Sequence, residues 1–126
     1  MPGKENEKNV KTAKNEDTKV IHKLGVERKA ELEEQYGKHR LRILEVPMDE
    51  VGHEFLEVAA IVPPRDVTGQ LIKYSETNPK KAADIAIRNC LLTHKEQIEK
   101  DDTLFFSVSF MIMELMPIRQ GRIKNF

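Results

Sequence analysis

Residues 39–65 read HRLRILEVPMDEVGHEFLEVAAIVPPR, and their reading decides the fold. Leu41 and Ile43 alternate with Arg40 and Arg42, the period of a half-buried strand. Leu44 and Val46 then occupy the opposite face. PMDEVGH (47–53) supplies turn residues, and EFLEVAAIV (54–62) is a second strand, stopped by Pro63 and Pro64. Two strands so close in sequence predict an antiparallel hairpin. A lone hairpin is marginal in water, so its apolar face must pack on helices.

Working outward, both flanks read as helical. GVERKAELEEQYGK (25–38) predicts a short helix with Val26, Ala30 and Leu32 on or near one face and Gly37 as C-cap. After the hairpin, Pro64 suits a first helical position, because its missing N–H has no intrahelical partner there. Val67, Leu71 and Tyr74 then share a face. Asn78 before Pro79 is an N-cap and N1 pair. THKEQIEK (93–100) reads as a connector with room for one helical turn, and Asp101 or Asp102 caps the next helix. Pro117 can open a last short segment. The expectation is an α+β fold: a short N-terminal helix and a two-stranded antiparallel hairpin, followed by a bundle of three to four helices. Residues 1–25 are expected to form a disordered charged tail, and residues 26–126 a single domain. Its hairpin spans about 39–62, with helices at about 64–77, 79–93, 102–116 and 117–125.

The 126 residues fit one domain, and 21 basic residues balance 21 acidic ones, so net charge selects no partner. Residues 1–30 carry eight Lys/Arg against five acids, but they lack aromatics to stack bases. No apolar run is long enough to span a bilayer, and residues 1–19 lack the apolar core of a secretory signal. The expectation is a protein of the cytoplasm.

The single cysteine, Cys90, stands four residues before His94. A thiol with its base is one reading. The other places Cys90 with Ala83, Ala86, Ile87 and Leu91 on one apolar stripe, near the helix end whose dipole opposes a thiolate. The spacing favours the core, so no catalytic residue is assigned. His22, His39, His53 and His94 are isolated, MDEVGHE lacks the ligand spacing of a calcium loop, and no phosphate-binding or dinucleotide fingerprint occurs. No metal and no cofactor is expected.

TLFFSVSFMIMELMPI (103–118) is apolar almost all round. Leu104, Val108, Met111, Ile112 and Leu115 form one stripe, and Phe106, Phe110 and Met113 form another. The second stripe is either more core or a face for a client or another copy. Met111, Met113 and Met116 of this stretch suit varied apolar partners. Phe106, Phe110, Met113 and Ile118 are therefore the candidate contact residues. Arg119, Arg122 and Lys124 are a candidate basic contact, although a cationic end is also favourable next to a helix C-terminus.

Three segments, PPRDV (63–67), NPKKAADIAIRNCLL (78–92) and DDTLFF (101–106), together with the hairpin before them, carry a resemblance. The chain, over roughly residues 30–126, resembles small proteins of bacteriophage and prophage tail-gene modules, of the tail assembly chaperone kind. That resemblance implies no enzyme. It implies a protein that coats the apolar tape-measure protein during tail building, helps deliver tail-tube subunits, and works in the bacterial host cytoplasm, with homo-oligomerisation as a further expectation. A longer form made by ribosomal frameshifting near Lys124–Asn125 would belong to the same pattern. The alternative from another class is a small nucleic-acid-binding or regulatory protein that uses its basic terminal segments.

Overall fold

The computed structural model describes residues 19–126. Strand β1 is Val20–His22, helix α1 is Val26–Tyr36, and a 3-10 turn spans Lys38–Arg40. Strands β2 (Leu41–Pro47) and β3 (Glu54–Ile61) form the expected hairpin. Helices α2 (Arg65–Tyr74), α3 (Pro79–Cys90), α4 (Lys95–Lys100) and α5 (Asp102–Glu114) follow. The fold is α+β, but its sheet has three strands in the order β1-β3-β2. β2 pairs with β3 antiparallel, Leu41 opposite Ile61 and Pro47 opposite Phe55. β1 pairs with β3 in parallel, Val20 opposite Glu54.

β3 is the central strand, and Leu56 to Ile61 are buried on both faces. On one face Leu44, Val46, Leu56, Val58 and Ala60 meet the helices, with Leu71, Ile87, Ile98 and Ile112 completing that core. On the other face α1 covers a smaller core of Leu24, Leu32 and Ala59. The sheet therefore has α1 on one face and residues of the other four helices packed on the opposite face.

The hairpin turn is held by Asp49, whose Oδ1 accepts from the N–H groups of Gly52 (3.0 Å) and His53 (3.1 Å). Gly52 takes φ +79°, a conformation that suits glycine. Asn78 Oδ1 accepts from Lys81 N–H at 3.2 Å, and Asp101 Oδ1 accepts from Thr103 and Leu104 N–H, so both predicted caps form. Gly37 closes α1 at φ +86°, its N–H donating to the Glu33 carbonyl.

Several expectations are corrected. The segment 1–25 is not wholly a loose tail. Val20–His22 forms a strand, because β3 offers a free edge there, and Leu24 is buried beneath α1. Residues 1–18, with Lys4, Lys8, Lys11 and Lys14, lie outside the described residues. The inward face of α1 is Leu32 with Tyr36, while Val26 and Ala30 are exposed. Glu57 ties the helix to that side of the sheet. It is a buried carboxylate that accepts from Leu24 N–H (2.9 Å) and lies 3.5 Å from Lys29 Nζ, offsetting the like-charged Glu45 opposite it in the ladder.

α3 stops at Cys90 rather than near residue 93, because Leu91 turns extended and bridges to Ala60. Leu92 N–H donates to the Ala59 carbonyl (2.9 Å), and Ala59 N–H donates to Thr93 Oγ1 (3.0 Å). The expected connector at 93–100 contains a true helix, α4, seated by the fully buried Ile98. The expected helix at 117–125 is absent. Pro117 and Gly121 break the pattern, every residue from 117 to 126 is exposed, and so no packed face exists to pull the segment into a helix.

Candidate protein-contact face

α5 forms where the sequence is most apolar because Asp101 caps its start and one stripe has a core to enter. Leu104, Val108 and Ile112 are buried against the sheet and the neighbouring helices. Ser109 is buried with them, and its Oγ donates back to the Phe106 carbonyl at 2.9 Å, so no polar group is stranded. The second stripe faces outward: Phe106 is 38% and Phe110 60% exposed, with Met113 half-buried beside them. Phe105 meets Phe106 edge-on, centroids 5.2 Å apart and planes at 87°. This contact packs the Phe106 ring on one neighbour and leaves part of it in solvent.

Phe106, Phe110 and Met113 thus share one helix face, as their spacing predicts. Ile118 does not join them. It is 60% exposed beyond Pro117, and it lines a shallow depression with Arg42, Val62 and Met116 on the sheet side of α5. Arg119, Arg122 and Lys124 are exposed on the same segment.

Packing adds residues that the sequence analysis did not single out. Asp84 of α3, Glu99 after Ile98 of α4, and Asp102 of α5 line one groove with Phe105 and Phe106, of about 270 Å³. Glu114 follows Phe110 by one helical turn, on the same side of α5. The cation in the groove, Lys80, lies 3.6 Å from Asp84. Carboxylates therefore flank the Phe106 end of the stripe, with Lys80 among them, and Glu114 lies one turn beyond Phe110. In the sequence these are ordinary surface acids, and only the docking of α3 and α4 against α5 brings them to the phenylalanines.

No family model, curated protein or solved structure matches the chain.

The thiol alternative loses its geometry. Cys90 is fully buried, and burial in apolar surroundings pushes its thiol up to about 11. His94 is not one turn further along the same helix. It lies beyond the extended Leu91–Thr93 segment, at φ +60°, and its Nδ1 is 3.0 Å from Thr93 Oγ1. Among the described residues, no three His, Cys, Asp or Glu side chains converge as metal ligands would. No helix among them is long and apolar enough to cross a membrane. Tyr74 is the other perturbed group: hydrogen bonding to Lys81, aided by the charges of Lys73 and Lys81, draws its phenol below the ordinary value. Both ammonium groups also lie near its ring, Lys81 Nζ 4.3 Å and Lys73 Nζ 5.2 Å from the centroid. This cluster joins α2 to the start of α3.

Proposed function

We propose that this chain is a non-enzymatic protein-binding assembly factor, a tail assembly chaperone of a tailed phage or prophage. Its client is an apolar helical segment such as those of a tape-measure protein, and tail-tube subunits are its second partner. One observation carries the reading: α5 buries one apolar stripe and keeps a second, Phe106 and Phe110, in solvent. Leaving two aromatic rings exposed on a helix that already has a core calls for a partner surface. The half-buried Met111, Met113 and Met116 supply adaptable contacts nearby.

Co-expression with the tape-measure protein tests it. The wild-type chain should raise the soluble fraction of the client, and Phe110→Asp should abolish that gain. Because Phe110 packs little of its surface, the same variant should keep its own stability within about 0.5 kcal/mol. An unchanged client, or equal help from the variant, sinks the proposal.

The second reading, nucleic-acid binding through Arg119, Arg122 and Lys124, draws on the exposure of these cations. It requires an affinity that falls steeply with salt, as phosphate contacts release counterions. A flat titration with duplex DNA and single-stranded RNA at low salt dismisses it.

A further inference from the structure

We infer that the Phe106–Phe110 face of one copy receives residues 118–126 of a second copy, so that two chains pair by exchanging these segments. The inference rests on the contact-face reading above and names an occupant for that face. Among the described residues, two surfaces lack partners, and they match. The first is the aromatic stripe, with Glu99 and Asp102 in the groove beside Phe106, Asp84 there paired with Lys80, and Glu114 one turn beyond Phe110. The second is IRQGRIKNF, which has three cations and no acidic side chain, and whose Ile118, Ile123 and Phe126 are all exposed. Apolar side chains interleaved with cations are what an apolar stripe edged by carboxylates would select. Desolvating the rings while the charges pair at the rim is the usual division between an interface core and its margin.

The occupant comes from a second copy because of how the chain leaves α5. Ile118 N–H donates to the Met116 carbonyl at 2.8 Å, and this turn directs the chain past Arg42 and Val62. That is the sheet side of the helix, where Leu104, Val108 and Ile112 are buried, away from the exposed rings. The segment therefore leaves α5 on the side away from its own aromatic face. Two-fold pairing allows each copy to donate a segment and accept one in the same contact.

The full chain tests this directly. By light scattering the wild type should be a dimer whose association weakens as salt is raised. Phe110→Asp in the face, and the double variant Ile123→Asp/Phe126→Asp in the segment, should each associate roughly thirty-fold more weakly, the effect of losing a central anchor. A chain carrying both Phe110→Cys and Ile123→Cys should, on mild oxidation, form disulfide-linked dimers. A monomeric wild type overturns the inference. So does association that survives Ile123→Asp/Phe126→Asp, which would mean that the face meets something other than this segment. So does a disulfide closed within one chain, the mark of docking on its own body. The chaperone reading is separable: client solubilisation by a monomer leaves that reading standing and removes this one. Self-association without client solubilisation does the reverse.

Discussion

The burial of Cys90 makes stability depend on alkaline pH in a calculable way. Folding moves the thiol from an ordinary value of 9.0 to about 11, because its thiolate would lose water within the core. Between these values the unfolded chain has released the proton and the folded chain retains it. The slope of unfolding free energy with pH follows the protons bound in the unfolded minus the folded state, and here that difference is negative. Stability contributed by the neutral thiol is thus whole below pH 9 and declines as pH rises toward 11. Two pH units at 1.36 kcal/mol each give a loss of about 3 kcal/mol. Urea unfolding of the wild type and Cys90→Ala at several pH values from 7 to 11 isolates it, since other groups titrate alike in both. Cys90→Ala should start less stable by about 1 kcal/mol, having lost a small buried side chain. The two curves should converge and then cross as pH rises. Parallel curves would refute the reasoning. So would alkylation of the native thiol at neutral pH as fast as in the unfolded chain, since a buried neutral thiol reacts only when the core opens.

Two further outcomes follow from the packing. Ile98→Ala should cost about 2–5 kcal/mol in thermal or urea unfolding despite the brevity of α4, because Ile98 is fully buried in the main core; a loss below about 1 kcal/mol would mean that α4 is not seated there. Glu57→Ala strips the Leu24 N–H of its acceptor and should cost about 1–3 kcal/mol, with amide exchange accelerating first at residues 20–24; uniform acceleration across the chain would show that Glu57 does not act locally.

What was legible in the sequence was local. Asn78–Pro79 and Asp101 announce helix starts because a cap needs only its neighbours, and Asp49 with Gly52 announces the turn for the same reason. The buried stripe of α3 and the division of α5 into two stripes follow from periodicity. Other features depend on distant partners. β1 is three residues in a polar setting, and it becomes a strand only because β3 has an open edge. Leu91–Thr93 leaves the helix for the same edge, which is why the spacing from Cys90 to His94 misleads when read as one more helical turn. α4 is signalled by a single isoleucine, too little for any period. The amphipathic look of residues 117–125 raised a helix that has no surface to lie on. The grouping of Phe106, Phe110 and Met113 needs only their spacing, whereas bringing acids of α3 and α4 beside Phe106 needs three helices in place.

The edge of β3 opposite β2 is shared by two remote pieces of chain, residues 20–22 at one end and 91–93 towards the other. The two closures are nearly equal in length: the Leu24–Glu57 bond spans 33 residues and the Ala59–Thr93 bond spans 34. The β2–β3 hairpin, by contrast, is bridged by a short turn. Loop-closure entropy therefore puts the hairpin first and leaves both flanks to arrive later at similar cost. They differ in what holds them afterwards. The later flank is covalently continuous with α3 and α4, both deep in the core, whereas the earlier one is anchored by Glu57 and a small cluster under α1. Opening of the native protein should therefore begin at β1 and peel α1 away, exposing the Ala59 side of the sheet while the four-helix side stays closed. The molecule has one hinge side and one latch side, and Glu57 is the latch.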